Sequence, residues 1–113
     1  MPRGEHLGEF EELVLLAVAR LDGEGYGVTV RREIEDRTAR APALGAVYAT
    51  LARLEQKGCV RSREGDRTPV RGGRARRHYA LTAVGASTLR AARDAQERLW
   101  DGLELGRASK ETR

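Results

Sequence analysis

Residues 44–60 have the sequence LGAVYATLARLEQKGCV, and this stretch decides the fold that the chain is expected to adopt. Apolar side chains recur in it at helical spacing, which predicts a helix over residues 44–57 with one face toward a core. The residues of that face are Leu44, Val47, Leu51 and Leu54. Gly58 is a common helix stop, and from Cys59 onward the period changes to the alternation of a β-strand.

Two further helices are expected before this one. Residues 8–21 are apolar nearly all round, so this first helix must be covered on two sides, by its own domain and by a further helix such as one from a partner chain. The second helix runs from about Tyr26 to Thr38 and ends before Pro42, because proline disfavours helical geometry in the residue before it. Two short helices, a brief break and a third helix are typical of a helix-turn-helix.

Two short strands and a last helix follow. Residues 59–63 and 78–81 are predicted strands, and the segment between them is rich in glycine and arginine, as in the wing of a winged helix. Thr82 is a good N-cap for a helix over residues 83–104. That helix has a heptad-like seam, bordered by Trp100, that consists of Leu89, Ala92, Gln96, Leu99 and Leu103.

The predicted architecture is therefore mainly α with a small β-hairpin. We expect a winged helix-turn-helix DNA-binding domain in residues 1–81, a C-terminal dimerisation helix in residues 82–105 and a disordered tail in residues 106–113. The seam of the last helix would leave an unusually large apolar patch on a monomer, so we expect a homodimer. The first-helix residues predicted to meet the partner's last helix are Leu13, Leu16 and Ala17.

Most of the excess positive charge lies in the wing. The net charge is +4, and residues 61–78 contain seven arginines and two carboxylates. Such a segment is expected to meet an anionic polymer.

The single cysteine, Cys59, has no internal disulfide partner and is expected to be a buried small hydrophobe. No apolar run approaches the roughly 20 residues that span a bilayer, so we expect a cytoplasmic protein without a membrane partner.

A recognition helix enters the major groove with its N-terminal half. When the apolar face of the third helix is turned inward, the residues expected to face outward are Gly45, Ala46, Ala49, Thr50 and Arg53. Small side chains let the backbone approach DNA closely, Thr50 can bond a base or a phosphate, and only Arg53, in the second half of the helix, can pair with guanine through two hydrogen bonds. Tyr48 lies beside the apolar face, where its hydroxyl either reaches a phosphate or is simply solvated.

Arginines elsewhere are candidates for phosphate contacts. Those of the wing are Arg71, Arg74, Arg76 and Arg77, and those of the second helix are Arg31 and Arg32. Strand alternation predicts that Arg76 and Arg77 point to opposite faces. The alternatives are a solvated charged hairpin and a second helix whose positive charge is diluted by Glu33 and Glu35.

Four motifs, in order, resemble those of the PadR family of bacterial transcriptional regulators. Residues 44–60 resemble the family's recognition helix, and Leu13 to Leu21 followed by Tyr26-Gly27 resembles its first helix and the entry to the second. The wing and the start of the C-terminal helix are matched by residues 72–79 and 81–85. The resemblance covers about residues 7–105. One departure is Ala43-Leu44, where the family commonly has a serine and a proline, so a hydroxyl that could cap the helix and touch a phosphate is missing.

The resemblance implies a winged-helix dimer that usually represses promoters, often under the control of a small molecule, with the single C-terminal helix of the short-tailed subgroup. In some relatives a tryptophan pair on this helix lines a ligand pore, so Trp100 is either an effector contact or an aromatic anchor of the dimer seam. We therefore expect a repressor that binds a pseudo-palindromic operator in double-stranded DNA as a homodimer and is released by a small-molecule effector.

The alternative is a winged-helix module that binds protein or RNA without operator specificity. RNA-binding modules usually expose aromatic side chains for stacking, which this chain lacks on its predicted recognition helix apart from Tyr48. No phosphate loop, paired-carboxylate constellation or nucleophile motif is present, so we expect neither an enzyme nor a cofactor. His6 and His78 have no neighbours with metal-ligand spacing, so no metal site is expected.

Overall fold

A computed structural model of the protein describes residues 6–67 and 75–105. Within these ranges the chain forms four helices and one antiparallel hairpin, so the predicted mainly α winged-helix fold is confirmed. The elements follow in the predicted order: α1 (Glu9–Leu21), α2 (Gly27–Arg37), α3 (Leu44–Gln56), β1 (Val60–Arg67), β2 (Ala75–Leu81) and α4 (Ala83–Trp100).

Helices α1, α2 and α3 pack around a single core, against which the base of the hairpin also lies. The fully buried side chains of this core are Val14, Leu15, Val18, Val30, Val47, Leu51, Leu54 and Cys59, which confirms the expectation for the cysteine. Helix α1 is closed at its C-terminus by Asp22 and Gly23, with φ angles of 51° and 87°. These left-handed residues reverse the chain toward α2, as at many helix ends.

The inward face of α3 is wider than the four-residue stripe predicted for it. Val47, Leu51 and Leu54 are fully buried, whereas Leu44 is only half-buried at the start of the helix. The expectation that Thr50 faces outward is wrong, because this residue is 1% exposed. Thr50 lies three positions after Val47 and four before Leu54, so it belongs to the apolar side of a helix that is covered over more than one row of side chains.

The hairpin is joined to the helices through its second strand. The backbone N–H of Tyr79 donates to the carbonyl oxygen of Gly25 at 2.9 Å, in the turn that precedes α2. Both strands extend beyond the predicted ranges, since pairing runs from Val60 with Leu81 to Arg67 with Ala75. Backbone pairing continues there through polar residues that show no core-directed alternation, which is why the sequence did not predict it.

The first turn of helix α4 packs against the residues that follow the C-terminus of α3. The hydroxyl oxygen of Thr82 accepts from the backbone N–H of Gly85 at 3.0 Å, so the predicted N-cap is confirmed. The same hydroxyl donates to the carbonyl oxygen of Gly58 at 2.6 Å. A side chain at position 85 would collide with the carbonyl oxygen of Cys59, so only glycine allows the first turn of α4 to approach this closely.

The far half of α4 extends away from the domain. Every residue from Arg93 to Trp100 is exposed. The helix ends at Trp100, so the prediction that it continues to residue 104 is wrong, and Leu103 lies beyond it. Asp101 has a non-helical backbone and Gly102 has a φ of 82°, a combination that terminates the helix before the last residue of the predicted seam.

Across residues 6–67 and 75–105, no helix is both long enough and apolar enough to cross a membrane.

Candidate nucleic-acid interface

The exposed face of α3 is nearly bare of side chains over its first two turns. Gly45, Ala46 and Ala49 are all exposed, and Ala52 continues the same side of the helix. A helix with only glycine and alanine on one side can bring its backbone close to another surface. Three of the residues predicted for groove contact therefore lie together on one solvent-facing surface of the helix.

Tyr48 borders this surface and connects it to α2. Its ring packs on Gly27, where any side chain would collide with the ring atoms. The tyrosine remains 47% exposed, so one part of the side chain is packed and the other part faces solvent. This geometry fits both of the interpretations that the sequence left open for its hydroxyl group.

Arg53 is the long cationic side chain on the exposed side of α3. Its Nε lies 3.3 Å from Glu11 Oε2, and its Nη2 donates to Thr50 Oγ1 at 3.1 Å. The side chain is nevertheless 54% exposed. Because Thr50 precedes Arg53 by one turn, the guanidinium lies back over the helix toward its N-terminus.

Glu11 of α1 is the functional candidate that the sequence analysis missed. Its carboxylate is almost buried and accepts from Lys57 Nζ at 2.8 Å and from the backbone N–H of Gly8 at 2.9 Å, in addition to Arg53. Burial raises the pKa of the Glu11 carboxyl, but the hydrogen bonds from Lys57, Gly8 and Arg53 together lower this pKa by more. The carboxyl is therefore ionised at neutral pH.

The signal for Glu11 was present in the sequence. Glu11, Val14, Leu15 and Val18 have i, i+3, i+4, i+7 spacing, so the acid occupies the buried stripe of α1. A carboxylate on a buried stripe requires cationic or hydrogen-bonding partners. Those partners come from α3 and could not be assigned without the packing of the two helices.

The wing arginines described by the structure point to opposite faces, as predicted. The guanidinium carbon of Arg76 lies 4.5 Å from the ring centroid of Tyr26, at the start of α2. On the other face Arg77 Nη1 donates to Ser62 Oγ at 3.0 Å, and Ser62 in turn donates to Glu55 at 2.8 Å. Both arginines are exposed. Arg71 and Arg74 lie outside the described residues.

The Arg76 face of the hairpin is ordered by aromatic contacts. His78 meets Tyr26 edge to face, with ring centroids 5.5 Å apart, and rests on Gly65, where a side chain would collide with the imidazole. Tyr26 thus contacts both side chains of this strand face, which holds the arginine beside the N-terminus of α2.

The cations of α2 are partly neutralised, as the sequence suggested. Arg31 pairs with Glu35 at 3.3 Å, whereas Arg32 is exposed. Glu33 bridges Arg37 at 2.7 Å and Arg20 at 2.9 Å, and the hydrogen bonds from these two arginines lower the pKa of the Glu33 carboxyl. The α2 surface therefore contributes less net positive charge than its arginines alone would suggest.

The residues predicted for dimerisation do not all lie on one surface. Leu99 and Trp100, at the end of α4, are 79% and 54% exposed, and Leu103 beyond the helix is 53% exposed. A largely apolar groove between α1 and α2 is lined by Leu13, Leu16, Ala17, Arg20, Glu33, Ile34, Arg37 and Thr38. Ala17 is only 3% exposed, so it forms the floor of this groove.

The beginning of the predicted seam is partly covered within the same chain. Leu89 is half-buried against the core, and together with Ala92 and Gln96 it lines a second groove shared with Leu16 and Glu12 of α1. Among the described residues no group of three or more histidine, cysteine, aspartate or glutamate side chains is placed to hold a metal ion.

Comparison with known proteins agrees with this geometry. A family model described as the transcriptional regulator PadR-like family matches residues 15–91, more than half of the chain. No curated protein matches the chain.

Several solved structures share the fold. A PadR family transcription regulator from Clostridium difficile is 22% identical, with a TM-score of 0.65 over 83% of this chain and 92% of that chain. One from Eggerthella lenta is 25% identical, with a TM-score of 0.64 over 83% of this chain and 81% of that chain. RosR of H. salinarum is 21% identical, with a TM-score of 0.67 over 96% of this chain and 91% of that chain.

The resemblance found in the motifs is thereby confirmed, and the chain shares its fold with these solved structures. The chain belongs to the PadR-like family of transcriptional regulators, and its function lies in the DNA-binding control of transcription.

Proposed function

We propose that the protein is a sequence-specific repressor that binds a pseudo-palindromic operator in double-stranded DNA as a homodimer. The observation that supports this most is the exposed face of α3, on which Gly45, Ala46 and Ala49 lie clear of the fold. Such a face lets the helix backbone enter a major groove, where an alanine methyl can touch a thymine methyl. Arg53, half-exposed beside it, supplies the one side chain on this face suited to reading guanine.

Backbone contacts are assigned to the wing and to the borders of α3. Arg76 is exposed on the face of the hairpin that adjoins the start of α2, and Tyr48 presents its half-exposed ring beside the small-residue face. The proposal includes the exposed Arg32 as a secondary phosphate contact, whereas Arg77 lies on the opposite face of the hairpin from Arg76. Contacts of this kind fix the orientation of a protein on the duplex but contain little sequence information.

Dimerisation is assigned to the end of α4 and to the groove between α1 and α2 of a second copy. The exposed Leu99, Trp100 and Leu103 are apolar, and the groove with Ala17 as its floor is largely apolar, with charged side chains at its edges. A two-fold pair of domains would present two α3 helices to half-sites about one helical turn apart. In this proposal residues 1–81 are the DNA-binding domain, and residues 82–105 are the dimerisation helix that meets the α1–α2 groove of the second copy.

Release by a small molecule is the remaining part of the proposal. It is supported by the family resemblance and by Trp100, a 54% exposed aromatic side chain at the end of the helix assigned to the dimer. An aromatic ring at such a place can stack on a planar apolar ligand. Within the dimer the same ring can instead serve only as an anchor of the interface.

The proposal is tested by selecting duplexes from a random pool with the full chain and measuring the Kd of the selected duplex by fluorescence anisotropy. We expect a two-fold symmetric site, one dimer per duplex, and affinity that falls steeply with salt because phosphate contacts release counterions. Structured and single-stranded RNA serve as competitors. Equal binding to RNA, or the absence of any preferred duplex, would favour the RNA-binding or protein-binding alternative.

A further inference from the structure

We propose that Glu11 is a positioning residue for DNA recognition, which holds the Arg53 guanidinium in the orientation in which it reads a base. The inference rests on the proposed function and names one determinant of its specificity. Glu11 does not touch DNA in this proposal. It acts through Arg53, from a buried position on the neighbouring helix.

Two contacts fix the guanidinium and leave its reading edge open. Nε of Arg53 is engaged by Glu11 Oε2, and one Nη2 hydrogen is engaged by Thr50 Oγ1. Arginine has five N–H donors, and within residues 6–67 and 75–105 both Nη1 hydrogens and the second Nη2 hydrogen have no partner and remain for a ligand. A guanine is recognised by two parallel hydrogen bonds from such a fork, which requires a defined orientation of the plane.

The two oxygens of Glu11 have separate partners. Oε1 accepts from Lys57 and from the backbone of Gly8, whereas Oε2 is the oxygen engaged by Arg53. The carboxylate is therefore anchored independently of the arginine that it orients. Since α1 is packed against α3 and the two helices share one buried core, the anchor is rigid relative to the recognition helix.

Loss of the Glu11 charge should lower the sequence specificity of DNA binding without lowering the affinity for non-specific DNA. A released Arg53 must be ordered again to pair with guanine, yet it still attracts any phosphate, and removal of the anion leaves the surface more positive. We expect Glu11→Gln to reduce the ratio of specific to non-specific affinity about tenfold, within the range attributed to one bidentate base contact. Non-specific affinity should rise slightly, whereas a loosened fold would lower both affinities.

The experiment measures binding of the selected operator duplex and of a random duplex, at several salt concentrations, for four proteins: wild type, Glu11→Gln, Arg53→Ala and the double variant. Glu9→Gln is the matched control, because this acid lies on the same turn of α1 but pairs with Arg40 and is exposed. We expect Glu11→Gln to lose discrimination in the wild-type background and to have no such effect once Arg53 is alanine. The control should behave as wild type.

Equal loss of discrimination from Glu11→Gln in both backgrounds would overturn the positioning role while leaving the proposed function intact. A wild-type chain that prefers no duplex would overturn the proposed function, and the role of Glu11 with it. Arg53→Lys is a second variant for the case in which Glu11→Gln does not fold. It leaves the hydrogen bond between Lys57 and Glu11 in place. It should reduce discrimination without changing non-specific affinity, and unchanged discrimination would also overturn the proposal.

Discussion

Replacing Leu99 and Trp100 by glutamate should convert the protein into folded monomers. Both side chains project from the far half of α4, where every residue from Arg93 to Trp100 is exposed and none is needed for the domain core. The substitution therefore removes apolar surface that only a second copy would cover. It also places two carboxylates per subunit in a surface from which water must be excluded on association.

The expected size of the effect follows from the exposed fractions. Trp100 is 54% exposed, which for a side chain of about 250 Å² leaves about 135 Å² to bury, worth about 3 kcal/mol at ~25 cal/mol per Å². Leu99 is 79% exposed and would contribute about 2 kcal/mol. Each subunit supplies both residues, so their complete burial corresponds to roughly 10 kcal/mol per dimer. Even if only half of this surface is buried in the dimer, the double substitution should weaken dimerisation by more than about a thousandfold.

Sedimentation equilibrium over a range of protein concentrations measures this directly, with circular dichroism as the test of folding. Val84→Glu is the control, because Val84 is 43% exposed but lies in the first turn of α4, away from the proposed interface. The double variant should sediment as a monomer and lose operator binding, whereas the control should remain dimeric. A double variant that stays folded, dimeric and bound to DNA would refute the assignment of the interface to the end of α4.

Three other substitutions or titrations test separate parts of the structure. Arg76→Ala should weaken binding to all duplexes alike and reduce the slope of log K against log salt by about one, as measured by anisotropy, because a phosphate contact is lost. Gly85→Val should destabilise the fold by about 1–3 kcal/mol in urea unfolding, since its side chain would meet the carbonyl oxygen of Cys59. The pKa of Glu11 is lowered in the folded state, so its stabilising contribution is present above the ordinary value of 4.5 and is lost as the pH falls through the lowered pKa. Glu11→Gln should therefore flatten the fall in unfolding free energy on acidification, and an unchanged pH profile would contradict this reasoning.

The fold could be predicted because each helix has its own local signals. Thr82 caps α4 as expected, and Val47, Leu51 and Leu54 are buried as their spacing requires. These features depend on neighbouring residues alone, which the sequence displays directly. The early end of α4 is also encoded locally, in Asp101-Gly102, whereas the predicted helix follows the apolar spacing as far as Leu103.

The side-chain contacts of the candidate site could not be predicted in the same way. The burial of Thr50 depends on how many rows of α3 side chains the neighbouring elements cover, and helical spacing alone does not give that number. The Arg76 contact with Tyr26 requires the hairpin to fold back on the start of α2. Such contacts join residues that are distant in sequence, so they follow from the packing of whole elements.

Arg53 shows how the packing changes a prediction about function. Counting along the chain places it in the second half of α3, far from the helix end that enters a groove first. Its guanidinium, however, is bonded to Thr50, one turn earlier, and three residues of helix correspond to about 4.5 Å along the axis. The position of a side chain along a recognition helix is therefore set by where its polar end is held, and here Thr50 holds the Arg53 guanidinium one turn closer to the N-terminus of α3.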